Sequence, residues 1–399
     1  MRVAVVGAGI GGLCAAVGLQ RAGSEVVVYE RASQLKPIGS GLSVFPNGIT
    51  ALDSLGLGRQ FRRITAGDAA RLDAGQRRPD GGWLARLPGD AVSGLRVVHR
   101  AELHEMLVTA LQPGSLQLGT TVSEVREDGG TVDIEGRDSG PVSERFDVVV
   151  AADGINSAIR RSWPGDPGLR YSGYSSWRGV TRRPVDLLGA AGETWGRGLR
   201  FGLAPLRDGR VYWFAVATMP ADEKVDDEYA RVRDLFSTWH APIPALLDAT
   251  NPKDVFRHPI NDLAEPLPTF RRGSCVLLGD SAHAMTPDLG QGANQAMEDA
   301  ATLTALLAPV ARDETPAAAA LDLALATYDR LRRERTQPIA RRARALGALA
   351  HVPSRAGVLF RNAVMRVTPP SALGKQATTM QTWLPPSGVS ARTVTTSTR

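Results

Sequence analysis

The sequence predicts an α/β protein in which a parallel-sheet domain is interleaved with an antiparallel β-sheet domain and followed by C-terminal helices. Residues 1–30 read as strand, glycine loop, helix and strand. Apolar runs at Phe146–Ala151 and Cys275–Leu278 indicate further strands buried on both faces, as in parallel sheets. Between Leu169 and Phe270 the chain is rich in Trp, Tyr, Gly and Pro and alternates as antiparallel strands do.

The N-terminal unit is the most specific of these patterns. Gly7, Gly9 and Gly12 follow a β-branched run in the order G-x-G-x-x-G, and a helix is predicted from Leu13 to Ala22. Such glycines permit a tight turn, the approach of a diphosphate and close helix–strand packing. Glu30 lies 18 residues after Gly12, where a ribose-binding acid is expected. These features together predict a Rossmann-type site for an adenine dinucleotide, which can be either NAD or FAD.

Composition narrows the functional classes. The 399 residues are 43% hydrophobic, enough for a large core and two domains, and no apolar run approaches a membrane span. The first strand starts at the N-terminus without room for a signal peptide, and two isolated cysteines predict free buried thiols, so we expect a cytoplasmic protein. Histidine and cysteine spacing predicts no metal site. The arginine-rich segment 330–344 favours a solvated helix face over a nucleic-acid surface.

The order of the patterns predicts interleaved domains. A nucleotide-binding domain is expected from residues 1–65, 98–168 and 271–320, and a substrate-binding β-sheet domain from 66–97 and 169–270. Residues 321–368 are expected to form a C-terminal helical region, with one or two helices at Leu321–Leu349. The Ser-, Thr- and Pro-rich segment 369–399 predicts a mobile tail.

Three ordered motifs, Gly7–Gly12, Asp153–Gly154 and Gly279–Asp280, resemble those of the class A FAD-dependent aromatic hydroxylases, the para-hydroxybenzoate hydroxylase-like flavoprotein monooxygenases. The similarity spans about residues 1–349 and is densest at 279–300. Residues 37–48 and Trp177–Gly179 are most similar to the urate and salicylate hydroxylase branch. The resemblance therefore implies FAD as the bound cofactor.

The resemblance also implies the cofactor contacts. Asp153 is expected to touch FAD and, transiently, the nicotinamide, although an aspartate before a helix also acts as its cap. Asp280 is expected at the ribityl–diphosphate region, and the helix start at 287–294 near the flavin pyrimidine, where negative charge develops. The implied cofactor-binding residues are Gly7, Gly9, Gly11, Gly12, Glu30, Arg31, Ser43, Arg100, Val122, Asp153, Gly154, Asp280, Pro287, Gly290, Gly292, Ala293 and Asn294.

Substrate contacts are expected from the antiparallel sheet, with Arg178, Arg200, Tyr212 and Pro287 as candidates. Arg200 and Tyr212 match substrate-site positions of the urate hydroxylase branch and are the catalytic candidates. An inward arginine suits a phenolate, carboxylate or urate-like anion. A two-residue hairpin loop at 208–209 would turn Arg200 and Tyr212 to opposite faces, whereas an odd-sized loop, or a bulge at Pro205, would place them on one face.

The implied reaction is hydroxylation or epoxidation of a small aromatic or conjugated metabolite. NADPH or NADH reduces FAD, O2 forms a flavin C4a-hydroperoxide, and its distal oxygen passes to the substrate. No second G-x-G-x-x-G occurs, so the nicotinamide is expected as a transient co-substrate. Two alternatives stay open: a flavin oxidase or reductase of the same fold without oxygen insertion, and a non-catalytic dinucleotide-binding protein. A flavin halogenase is disfavoured because no two tryptophans are two residues apart.

Overall fold

The computed structural model describes residues 1–35, 40–65, 72–88, 94–126, 128, 130–136, 142–312, 318–369 and 379–386. Most of the predicted tail at 369–399, and part of the 37–48 segment, lie outside the described residues. In the described part of the chain, every helix is too short or too polar to cross a bilayer.

A six-stranded sheet of five parallel strands and one antiparallel edge strand underlies the N-terminal unit. In spatial order its strands are β17 (Arg271–Arg272), β18 (Cys275–Leu277), β11 (Val148–Ala151), β1 (Arg2–Val6), β2 (Glu25–Glu30) and β7 (Leu116–Leu118). The three central strands are almost wholly buried apolar runs, as the sequence predicts. Cys14 and Cys275 are buried free thiols, and burial raises the pKa of both.

The glycine loop connects β1 to helix α1 (Ile10–Arg21), which begins three residues before the predicted Leu13. Gly7 has φ +105°, and a Cβ there would lie 2.4 Å from the Ala152 carbonyl oxygen at the end of β11. A Cβ on Gly12 would lie 2.1 Å from the Gly7 carbonyl oxygen. Both positions therefore require glycine for the loop to pack against the strand ends.

A seven-stranded sheet forms the second layer. In spatial order its strands are β16 (Phe256–Leu263), β12 (Leu169–Val180), β15 (Val211–Thr218), β14 (Leu199–Pro205), β13 (Ala190–Trp195), β4 (Asp73–Arg77) and β5 (Trp83–Arg86). Neighbouring strands are antiparallel except β4 and β13, which are parallel. The antiparallel sheet expected from the sequence is confirmed apart from this pair, whose strands are joined by a long connection that permits parallel pairing.

Two small sheets and the helices complete the described fold. The small sheets pair β8 (Thr120–Val125), β9 (Thr131–Gly136) and β10 (Val142–Arg145), and β3 (Gly41–Val44) with β6 (Arg96–His99). The remaining helices are α2 (Pro46–Ser54), α3 (Gly58–Arg63), α4 (Arg100–Thr109), α5 (Ala158–Arg161), α6 (Glu228–Phe236), α7 (Ile243–Asp248), α8 (Asp280–His283), α9 (Gly292–Ala311), α10 (Ala318–Ala350) and α11 (Arg355–Val367).

Helix α10 is one continuous helix of 33 residues, where the sequence allowed one or two. In its first third, the Tyr328 hydroxyl donates to the Leu277 carbonyl oxygen of the parallel sheet at 2.9 Å. Near its end, Arg344 donates to Asp262 of the seven-stranded sheet at 2.8 Å. Because the helix is about 50 Å long, it ties the two sheets together along the side of the molecule.

Candidate active site

A cleft of about 430 Å³ lies between the carboxyl ends of the parallel strands and one face of the seven-stranded sheet. Carboxyl ends of parallel strands are the usual place for ligands in such folds. The predicted residues that line it are Gly9, Gly11, Gly12, Ser43, Arg100, Gly154, Arg178, Arg200, Tyr212, Asp280, Pro287, Gly290, Gly292 and Ala293. The fold thus brings residues from all three sequence motifs to one cavity.

One wall of the cleft is main chain with open space above it. An added Cβ would meet nothing within 4 Å at Gly9 or Gly154, and nothing closer than 3.9 Å at Gly292. Gly9 precedes α1 and Gly292 begins the 20-residue helix α9, so the backbone N–H groups of two helix starts lie at this wall. Such helix starts attract negatively charged groups.

Other predicted cofactor residues support this wall without lining the cleft. Glu30 accepts from the Ala8 and Ala32 N–H groups, each at 2.9 Å, and so holds the glycine loop against β2. Asp153 accepts from the Ala158 N–H at 2.8 Å and so satisfies the first N–H of α5, whose N-cap residue is Ser157. Its second carboxylate oxygen is buried and has no partner among the described residues.

Asn294 is fully buried and joins two loops. Its amide oxygen accepts from the Phe45 N–H at 2.9 Å, while its amide nitrogen donates to the Ser43 and Gly290 carbonyl oxygens. Asn294 therefore orients the segments that line the cleft instead of facing it. Val122 is buried in a separate cluster with Phe146, and Arg31 is exposed at the end of β2.

The turn at Gly279–Asp280 is held from beneath by Asp299. Its carboxylate accepts from the Gly279 N–H at 2.8 Å, lies 2.6 Å from His283 Nε2 and binds Arg332 Nε at 2.5 Å. Burial alone would raise the pKa of Asp299, but His283 and Arg332 lower it to about 2. A fixed anion at this position keeps the turn, and with it Asp280, in place.

Two arginines face the cleft without a partner. The side chains of Arg100 and Arg178 make no hydrogen bond or ion pair within the described residues, and Arg178 Nε is buried. Burial, followed by the nearby Arg178, lowers the pKa of Arg100. Because a half-buried, unpaired cation is costly, this pair of charges favours an anionic ligand.

Arg200, in contrast, is already neutralised. It is buried and binds both carboxylate oxygens of Glu193, at 2.9 and 2.8 Å, and also Asp288. Burial would lower the pKa of Arg200, but the two carboxylates raise it. Tyr174 donates to the other oxygen of Asp288 at 2.5 Å, which completes the Arg200 cluster of Arg200, Glu193, Asp288 and Tyr174.

The hairpin register places Arg200 and Tyr212 on one face. Arg200 lies opposite Val216 and Tyr212 opposite Ala204, and the Leu206 N–H donates to the Arg210 carbonyl oxygen across the loop. The loop thus has three residues, the odd size, so both side chains point toward the cleft. Tyr212 packs over Gly41, where a Cβ would lie 2.2 Å from the ring.

Comparison with known proteins assigns the chain to a family. The FAD binding domain family matches residues 1–343. The chain is 36% identical to an aurachin C monooxygenase/isomerase of Stigmatella aurantiaca, over 92% of this chain and 94% of that protein. It is 35% identical to a FAD-dependent urate hydroxylase of Klebsiella pneumoniae, over 88% and 91% of the two chains. The chain belongs to the FAD-dependent aromatic hydroxylases.

The fold agrees with this assignment. The structure superimposes on Klebsiella pneumoniae HpxO complexed with FAD and uric acid with a TM-score of 0.83 and 29% identity, over 96% of each chain. These relatives confirm the urate and salicylate hydroxylase branch, and they favour a monooxygenase over an oxidase or reductase. The protein is thus an FAD-dependent monooxygenase and an oxidoreductase.

The glycine-lined wall of the monooxygenase fits FAD. Gly9 and Gly154 leave room for a ligand at the main chain, and the helix starts and Arg100 supply positive charge of the kind that suits an anionic cofactor. The described residues hold no cluster of His, Cys, Asp or Glu that could bind a metal ion.

Sequence reasoning missed several residues of this monooxygenase cleft. Tyr174 and Ser176 line the cleft on the same face of β12 as Arg178. Alternate residues of a strand share a face, so their spacing from Arg178 could have identified them. Phe214 lines it beside Tyr212 for the same reason. Asp288 gave no local signal, because its partner Arg200 is 88 residues away in the chain.

Proposed function

We propose that the protein uses NADPH or NADH and O2 to hydroxylate or epoxidise a small aromatic or conjugated metabolite that carries an anionic oxygen. The observation that carries the substrate class is the arginine pair, Arg100 and Arg178, which faces the cleft unpaired beside Tyr212. Relatives that act on urate or form quinolone products support an aromatic heterocycle as substrate.

In this proposal the cofactor half of the cleft uses the residues implied by the family. Gly9, Gly11 and Gly12 bind the diphosphate, and Glu30 reaches the ribose next to the loop that it holds. Arg100 and Asp280 flank the ribityl–diphosphate region, and Gly292 and Ala293 present the start of α9 to the flavin pyrimidine. Bound FAD, reduced by the nicotinamide, would supply the two electrons that activate O2, so that one oxygen atom enters the substrate and the other leaves as water.

The substrate half binds and orients the reacting ring. Arg178 neutralises the anionic oxygen, as a guanidinium does best with an oxyanion. Burial raises the pKa of Tyr212 although Arg178 and Arg100 oppose it, so its hydroxyl stays protonated and donates to the same substrate oxygen. The Arg200 cluster forms the floor of the cleft. The charge of Arg200 is already balanced by Glu193 and Asp288, so it is not available to neutralise a substrate.

Apolar side chains keep water from the reacting atoms. Leu42, Phe214, Val216 and Ile260 line the cleft beside the polar residues. Exclusion of water favours oxygen transfer over release of H2O2. Pro287 lies at the junction of the two halves, beside Asp288 of the floor.

The domain assignment is part of the proposal. We infer that residues 1–65, 98–168 and 271–320 act as the FAD-binding domain, and 66–97 and 169–270 as the substrate domain. The two free buried cysteines support a reducing, cytoplasmic location.

The test is a visible spectrum of the purified protein, followed by oxidation of NADH and NADPH with phenols, salicylates, urate and alkylquinolones. Bound flavin, substrate-stimulated NAD(P)H oxidation and one atom of labelled O2 in the product support the proposal. Product without labelled oxygen would leave the flavoprotein assignment intact but contradict monooxygenation. Stimulation by neutral aromatics only would contradict the anionic substrate class.

A further inference from the structure

Helix α11 presents an apolar face to solvent. Its exposed side chains at Leu359, Phe360, Ala363, Val364 and Val367 follow helical spacing, and we call them the apolar face. Leu359, Phe360 and Val367 are 72, 73 and 79% exposed. Large apolar side chains in such a row on a solvent surface mark an interaction site.

The opposite face of α11 anchors the helix to the substrate domain. Buried Arg361 donates to the Ala350 carbonyl oxygen at 2.8 Å and to the Gly196 carbonyl oxygen at 3.1 Å. Met365 packs on a buried cluster of Leu84, Trp195 and Ala350. The helix is therefore fixed by its own contacts, and the apolar face points outward.

The charge of the last part of the sequence is one-sided. Residues 335–399 contain nine arginines and Lys375 and no Asp or Glu, so this segment carries +10 while the whole chain carries +6. The first 334 residues are consequently net acidic. Arg355 and Arg366 are exposed and lie three helical turns apart along one edge of the apolar face.

We propose that α11 binds the surface of an anionic lipid bilayer, with the apolar face inserted at the level of the headgroups and Arg355 and Arg366 on lipid phosphates. An amphipathic helix with basic residues beside its apolar stripe is the usual form of such a contact. In a second copy, α11 would offer only arginines and no carboxylate to Arg355 and Arg366. A nucleic acid would leave the apolar side chains in water.

The experiment is sedimentation of the FAD-loaded enzyme with two kinds of vesicle. One kind is phosphatidylcholine alone, and the other contains equal parts of phosphatidylcholine and phosphatidylglycerol. The enzyme is expected to bind the anionic vesicles about tenfold more tightly or better, and to be released by salt. Equal binding to both kinds, or to neither, would overturn the proposal.

Two variants and a control locate the contact. Leu359→Ser with Phe360→Ser is expected to weaken binding to anionic vesicles by about tenfold or more, because two inserted side chains are lost. Arg355→Gln with Arg366→Gln should do the same through charge, and it keeps the test valid if the serine variant does not fold. Phe256→Ser, at a residue 61% exposed on β16, is the matched control and should bind as wild type.

The alternative occupants give different results. Self-association without lipid that the serine variant abolishes would assign the apolar face to a second copy and overturn the lipid proposal. Retention by DNA or RNA with unchanged vesicle binding in both variants would overturn it as well. Activity on a water-dissolved substrate should be unchanged in every variant, since α11 lines no part of the cleft.

Discussion

The two classes of arginine in the cleft have different environments and should have different roles. Arg178 has no partner among the described residues, whereas Arg200 is bound by Glu193 and Asp288. A free guanidinium gains a partner when an anion binds, but a paired one gains little. We therefore propose that Arg178 recognises the substrate and that Arg200 maintains the floor of the cleft.

We expect Arg178→Ala to raise KM for an anionic substrate about tenfold to a hundredfold and to increase H2O2 release, because a charged hydrogen bond to substrate is lost. Steady-state kinetics with peroxide detection measures both effects. Arg197→Ala, at an exposed arginine before β14, is the control and should behave as wild type. An unchanged KM in the Arg178 variant would contradict its substrate role.

A titratable residue beneath the floor predicts a pH dependence of stability. Burial, followed by the charge of Arg200, lowers the pKa of His351 from 6.5 to about 3. Below pH 6.5 the unfolded chain binds a proton there that the folded chain does not bind, so stability falls as the pH falls toward 3. The slope for this group approaches about 1.4 kcal/mol per pH unit.

His351→Phe removes this titration and keeps the ring stacked on Tyr174. Urea unfolding at neutral and mildly acidic pH should therefore show a smaller loss of stability for the variant than for wild type. Equal losses in the two proteins would show that His351 does not titrate in this way.

At the scale of elements, two glycines of the G-x-G-x-x-G loop are needed for different reasons: Gly12 for packing within the fold and Gly9 for space for a ligand. A Cβ at Gly12 collides with the Gly7 carbonyl oxygen, while a Cβ at Gly9 meets open space. We expect Gly12→Ala to lower the free energy of unfolding by about 1–3 kcal/mol, and Gly9→Ala to leave it unchanged while weakening FAD binding. Denaturant unfolding of the apoprotein and flavin titration distinguish these outcomes, and tight FAD binding by the Gly9 variant would contradict a diphosphate contact.

Elements with a local signal were predicted well from the sequence. The parallel strands and α1 follow from apolar runs and glycine spacing, which depend on near neighbours. The Arg200 cluster was not predictable, because the Arg200–Asp288 pair depends on tertiary packing. The hairpin register was also not predictable, because it depends on whether the loop has two or three residues. The hydrogen bond between Leu206 and Arg210, which the sequence does not reveal, gives it three.

At the scale of the whole molecule, a buried charge network joins α9 to α10. Arg332 binds Asp299 at 2.5 Å and Glu298 at 2.8 Å, with all three side chains buried. Because the same Asp299 accepts from the Gly279 N–H, this network connects the long helix to the turn at Gly279–Asp280, which lines the cleft.

We expect Arg332→Met to lower the free energy of unfolding by about 3–5 kcal/mol, since it removes the buried cation that Glu298 and Asp299 share and leaves them only Arg335 and His283. Retention of FAD should fall with it. Arg330→Met, which removes an exposed pair with Glu334, is the control and should cost less than about 1 kcal/mol. Equal stability of the two variants would contradict a structural role for the network.

The order of strands in the parallel sheet also determines how the protein can form during synthesis. β1 lies between β2 and β11, and β11 in turn pairs with β18, which ends at Leu277. At about 5–20 residues per second, the ribosome needs roughly 15 to 55 s to reach that residue. The N-terminal glycine loop is therefore synthesised first, but the sheet that supports it is complete only after β18 has been made. Until then the nascent chain has an unpaired apolar strand edge to which a chaperone can bind.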